Sequence, residues 1–117
     1  MKRTLVLNSA LALAFAVGLA GCGKDSDIQI GSASPLTGTQ AHIGSDIRNG
    51  VQLAIEDANA AGIEIGGKKV KFKLVAEDDE ANPTKAANVA QKLVDSKVVA
   101  VVGHFNSGAS IPASAAC

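Results

Sequence analysis

The stretch "KVVAVVGHFNSGAS" (Lys97–Ser110) decides how the chain is read. Val98 to Val102 form an unbroken apolar run that ends at Gly103. Such a run, rich in β-branched residues, reads as a strand covered on both faces, as in the middle of a parallel sheet. His104, Asn106, Ser107 and Ser110 then crowd one turn with small polar groups, and Gly108 lets the backbone come close to a ligand. A helix opening near Ser107 would aim its first N–H groups at an anion such as a carboxylate. The same groups serve equally well as a plain helix cap on Asn106 or Ser107, and the local sequence leaves both readings open. A serine nucleophile is a poor third. The Gly-x-Ser-x-Gly elbow needs glycine where Phe105 and Ala109 stand.

Working towards the amino terminus, "ANPTKAANVAQKLVDSK" (Ala81–Lys97) reads as a helix. Ala86, Val89, Ala90, Leu93 and Val94 form its buried stripe. Asn82 caps it, and Pro83 takes the first helical position, where a missing N–H costs nothing. In "IEIGGKKVKFKLVAEDD" (Ile63–Asp79) a turn at Gly66-Gly67 precedes a strand. Val70, Phe72 and Leu74 alternate there with Lys69, Lys71 and Lys73, the pattern of an edge strand with one wet face. A further helix is expected from about Gly44 to Ala61, with Ile47, Val51, Ala54, Ile55 and Ala58 inward and Asn49, Gln52, Glu56 and Asn59 outward. Gly44 or Ser45 would start it and Gly62 would stop it. "PLTGTQAHIG" (Pro35–Gly44) is a loop, and "DIQIGSAS" (Asp27–Ser34) is the first strand.

Strand, helix, strand, helix, strand, helix is the order of a doubly wound α/β parallel sheet. Ligands of such sheets sit beyond the carboxyl ends of the strands. Three ends are available: Ser32 to Gly38, Glu77 to Asn82, and Gly103 to Ser110.

Other chemistries find little support. Eleven basic and eleven acidic side chains leave no net charge to attract nucleic acid. Cys22 and Cys117 form no metal-spaced pair, His42 lies in the loop, and His104 reads as a structural hydrogen-bonding residue. The run Glu77-Asp78-Asp79-Glu80 reads as a solvated strand end rather than a cation site, having no spaced second ligand set. No Gly-x-Gly-x-x-Gly follows the first strand and no Gly-Lys-Ser/Thr loop occurs, so neither cofactor nor metal is expected.

The first segment, "MKRTLVLNSALALAFAVGLAGC" (Met1–Cys22), reads as an export signal: Lys2 and Arg3, then an apolar core from Leu5 to Val17, too short to span a bilayer comfortably. It ends in Leu19-Ala20-Gly21-Cys22, which resembles the lipobox of bacterial lipoproteins. That resemblance implies cleavage before Cys22 and a lipid on its thiol. The expected organisation is a signal over 1–21, a tether over 22–27 and a ligand-binding lobe over 28–117.

"IGSASPLTGTQAHIGSDIRNGVQLAIEDANAAGIEIGGKKVKFKLVAEDDEANPTKAANVAQKLV" (Ile30–Val94), followed by "VVAVVGHFNSGASIPAS" (Val98–Ser114), resembles the amino-terminal part of the branched-chain amino-acid-binding proteins of ABC importers. The telling pieces are Pro35-Leu36-Thr37-Gly38, the helix with Asn49-Gly50 and Asn59-Ala60, Asp78-Asp79 before Asn82-Pro83, and Gly103-His104 before Ser107. The resemblance implies two α/β lobes closing on an amino acid, of which this chain matches only part of the first. It implies a receptor and not an enzyme, located in the periplasm or at the cell surface. Its partners would be a small amino-acid ligand, an inner-membrane importer permease, and the membrane through the lipid on Cys22. It places the ligand's carboxylate on Ser107, in the turn that also holds Asn106 and Gly108. Ile43 matches a position, often aromatic, that lines the side-chain pocket. Some members join positions matching Ala81 and Asn106 by a disulfide, which this chain lacks. Family members run to about three times the length of the expected mature chain, 22–117, and "PASAAC" (Pro112–Cys117) departs from their pattern, so an interrupted copy or fragment is expected. The alternatives are a receptor for another small solute, of amide or urea type, and a small exported α/β enzyme. The latter is disfavoured by the lack of any paired acid/base or nucleophile set.

Overall fold

The computed structural model describes residues 26–116, so the expected signal, Cys22 and Cys117 lie outside the described residues. The sheet is organised around β1 (Ser26–Ser34). It pairs in parallel with β3 (Lys68–Asp78) on one side and β4 (Ala100–Gly103) on the other. β2 (Glu64–Ile65) adds a two-residue antiparallel strand outside β3, giving the order β2-β3-β1-β4. Ser34 lies opposite Asp78 and Ala33 opposite Gly103, so the carboxyl ends of the three parallel strands share one edge. This is the expected α/β arrangement. β1 begins at Ser26, within the stretch expected to be tether.

The period-two alternation of the strands assigns the two faces. Ile30, Phe72 and Val102 point towards α1 (Ala41–Ala61). Ala33, Val75 and Val101 point the other way, onto Val89 and the fully buried Leu93 of α2 (Pro83–Asp95). Ala86 and Ala90 of α2 meet Ala109 and Ala113 of α3 (Ser107–Ala113), small residues that let two helices approach closely. A 3₁₀ turn, Ser114–Ala116, follows. On the α1 face the packing stays open. An apolar groove of about 510 Å³ runs between Ile47, Val51 and Ala54 of the helix and Ile30, Phe72 and Val102 of the sheet.

Several local rules hold as expected. Asn82 Oδ1 accepts the Lys85 N–H at 3.0 Å, and Pro83 occupies the first turn of α2. Gly62 ends α1 in the left-handed conformation at φ 66°.

Three expectations need correction. α1 starts at Ala41 rather than Gly44, with Gln40 as a cap that makes no side-chain bond. Gly44 is inside the helix because a Cβ there would stand 2.0 Å from the Pro35 carbonyl oxygen; the glycine serves close approach, not initiation. Second, the run Val98–Val102 is covered on one face only: Val99 is 69% and Val102 46% exposed. α2 covers Val98 and Val101, while α1 lies over β1 and β3 and stops short of β4. Third, Asn59 does not simply face solvent. Its amide donates to the Phe72 carbonyl at 2.9 Å and accepts the Phe72 N–H at 2.8 Å, closing one residue of β3's outer edge beyond the short β2.

Candidate functional site

The shared carboxyl edge is tied together by two acids. Asp78, the last residue of β3, reaches across to the Pro-Leu-Thr-Gly loop. Its Oδ1 accepts the N–H of Leu36 at 2.8 Å and of Glu80 at 2.9 Å, and its Oδ2 accepts the Thr37 hydroxyl. Burial works to raise its pKa. The Thr37 hydroxyl and the N–H groups of Glu80, Leu36 and Thr37 outweigh it and hold the carboxyl below its ordinary value. Asp79 is completely buried. Its Oδ2 lies 2.7 Å from His104 Nδ1, its Oδ1 accepts the Ala81 N–H at 2.9 Å, and its own N–H donates to Ser34 at 3.2 Å. These side-chain bonds brace the left-handed backbone of Glu80 and Ala81, at φ 51° and 56°. The Glu77–Glu80 run is therefore not a solvated strand end. Its middle two acids are structural ties to turns 25 and 41 to 42 residues away in sequence. No grouping of three His, Cys, Asp or Glu able to hold a metal occurs among the described residues.

β4 delivers the polar turn. Gly103 ends the strand at φ 137°, and a Cβ there would stand 2.1 Å from the Ala33 carbonyl oxygen. His104, nearly buried, is the structural hydrogen-bonding residue expected, held by Asp79. Ser110 Oγ fixes the turn through the carbonyls of His104 and Asn106, both at 3.2 Å. Asn106 is the cap residue of α3 by backbone position, but its side chain makes no capping bond and its Oδ1 is buried without a partner among the described residues. Ser107 and Gly108 open the helix and are exposed. The first N–H of α3 to reach a carbonyl is that of Ala109, bonded to Asn106 at 2.9 Å. The N–H groups of Ser107 and Gly108 have no backbone partner among the described residues, as is usual for the first amides of a helix.

Ile43 sits half-buried in the first turn of α1, not in a loop, and His42 beside it is exposed. The Ser34 hydroxyl donates to the Gly44 carbonyl at 3.1 Å, fixing that turn over the end of β1. Ile43 and the Asn106–Gly108 turn therefore follow neighbouring strands at one sheet edge. Two further buried polar atoms near this edge, Ser32 Oγ and Gln40 Oε1, lack partners among the described residues.

Residues 27–116 match the family model described as periplasmic binding protein. The chain belongs to the periplasmic binding protein family. A Leu/Ile/Val-binding protein homolog 2 of Brucella abortus is 41% identical over 114 residues, which are 97% of this chain and 29% of that protein. Among solved structures of this fold, the branched-chain amino acid transporter substrate-binding protein LivJ of Streptococcus pneumoniae, in complex with isoleucine, superposes with a TM-score of 0.68 at 39% identity, over 78% of this chain and 26% of that one. An ABC-transporter solute-binding protein of R. palustris in complex with benzoate gives 0.62 at 28% identity, over 75% and 23%. The chain thus spans less than a third of the proteins it matches, and these relatives are binding proteins by name.

Proposed function

We propose that this chain supplies the carboxylate-recognition wall of an exported solute receptor that feeds an ABC importer. Ser107 and Gly108 hold the carboxylate through their outward N–H groups and the Ser107 hydroxyl. Asn106 frames the turn, and Ile43 on the neighbouring turn contacts the ligand's apolar part. The observation that carries this reading is chemical. Isoleucine and benzoate, bound by two structural relatives, share little but a carboxylate. A wall common to both needs anion donors, and the Ser107–Gly108 turn offers N–H groups that bond no carbonyl among the described residues. Branched-chain amino acids are the favoured ligands, since a Leu/Ile/Val-binding homolog and the isoleucine-bound structure among the relatives carry that name. An amide or urea receptor fits less well, because such ligands would leave these donors without an anion. The chemistry is non-covalent binding, with no catalytic residue. The expected location is the periplasm or cell surface, with a permease as partner and Cys22 as lipid anchor.

Thermal melting tests this on the chain itself. Leucine, isoleucine or benzoate should raise Tm, because a ligand that binds only the folded state stabilises it, whereas acetamide should not. Ser107→Ala should weaken the carboxylate contact by about 1–3 kcal/mol and remove the shift. Equal shifts with acetamide, or an unchanged response in Ser107→Ala, would contradict the reading.

A further inference from the structure

The edge of the sheet opposite the candidate site has its own character. β1 begins there, opposite Val70, and the β2–β3 hairpin projects past that start, with Gly66-Gly67 at its tip. Every residue from Ala61 to Lys69 is exposed, including Ile63 at 38% and Ile65 at 54%. The isoleucines are followed by Lys68 and Lys69. Lys71 stands next along β3, and Lys97 enters the same edge where Val99 N–H bonds Gln29. None of these four exposed lysines makes an ion pair among the described residues, whereas Lys73 is paired with Asp27. The acids nearby are Glu64, Asp27 and Asp95; Asp95 accepts from Gln91. The edge remains net basic around two exposed isoleucines.

We infer that this hairpin, Ile63–Lys69, contacts an anionic lipid surface and orients the domain on it. Isoleucine enters the boundary between headgroups and acyl chains, while lysines stay among anionic headgroups with their stems along apolar surface. Continuity with the proposed anchor supplies the second argument; this part rests on the lipidation of Cys22. Only Gly23, Lys24 and Asp25 separate Cys22 from Ser26. Four peptide steps span at most about 14 Å, so an acylated Cys22 holds the start of β1 close to the headgroups, and the hairpin beside it meets them first. β1 then runs away from the membrane for nine residues, about 30 Å at the rise of a strand. The candidate site at its far end is held clear of the surface and open to solute.

The chain contains no tryptophan, so a single introduced one reports without background. The full chain would be reconstituted in phosphatidylcholine vesicles with and without phosphatidylglycerol, and quenching by brominated lipids compared for Glu64→Trp and, at the opposite edge, Thr39→Trp. The hairpin reporter should be quenched several-fold more strongly, and only with the anionic lipid. Lys68→Gln and Lys69→Gln should each lower the membrane-contacting population about fivefold; both side chains are exposed, so folding is not at stake. Equal quenching at the two positions, or quenching indifferent to phosphatidylglycerol, would overturn the proposal. Intact-mass analysis of the same sample reads acylation of Cys22 separately. An unmodified Cys22 would remove the anchor while leaving the hairpin result to stand on its own.

Discussion

Gly103 and Asp78 show how single residues set the geometry of the candidate site. At φ 137°, with the Ala33 carbonyl 2.1 Å from where a Cβ would lie, Gly103 brings β4 onto β1 and turns the chain towards Asn106. Gly103→Ala should cost at least about 1–3 kcal/mol from backbone strain alone, and the added clash makes failure to fold the expected result; circular dichroism melting checks it. An unchanged Tm would mean that the turn is built otherwise. Asp78 makes a pH-dependent contribution. Its folded pKa lies below the ordinary value of 3.8, so its stabilisation is complete above that value and is lost as pH falls through the lower, folded value. Tm measured against pH should fall less steeply in Asp78→Asn than in the parent below about pH 4, and parallel curves would refute the role. Four acids in a row look solvated in the sequence, yet the partners that bury Asp79 and occupy Asp78 lie on β1, the loop after it and the turn after β4, in contacts that no local pattern encodes.

Among the elements, α2 was the most legible, because Asn82, Pro83 and a periodic apolar stripe all state the same helix. α1 was legible in its face but not in its start, since Gln40 is not a typical cap and Gly44 marks a contact with Pro35 rather than a boundary. β2 escaped notice because two residues carry no periodicity. Asn59 escaped because an outward polar residue on an amphipathic helix normally meets water. Here it supplies both hydrogen bonds that a neighbouring strand would have given Phe72, a device that blunts an open edge. Two part-buried bonds of this kind are worth about 1 kcal/mol each. Asn59→Ala should therefore lower stability by about 2 kcal/mol in urea unfolding, with amide exchange at Phe72 accelerated.

At the scale of the whole molecule, the parallel order and the location of the candidate site were readable because βαβ connections leave little freedom. Each strand end must lie on one edge, and the three strand-end segments named from sequence do. What did not follow was how far each face would be covered. An apolar run such as Val98–Val102 announces burial, yet Val99 and Val102 are exposed, and Val102 opens onto a groove beside α1. The same geometry limits affinity. A ligand on the Ser107–Gly108 turn touches one wall of the described residues and stays partly hydrated, so its charge is only partly removed from water. Binding by this chain alone should be on the order of millimolar or weaker. The side-chain preference set near Ile43 should accordingly be shallow, while the demand for a carboxylate persists. That demand is tested by two-dimensional amide NMR of the chain titrated with L-leucine and, in parallel, with L-leucinamide, which keeps the side chain and the amine but lacks the carboxylate. The Ser107 and Gly108 amide signals should move progressively with leucine and stay in place with leucinamide. Signals that stay fixed with leucine, or that move equally with both, would contradict it.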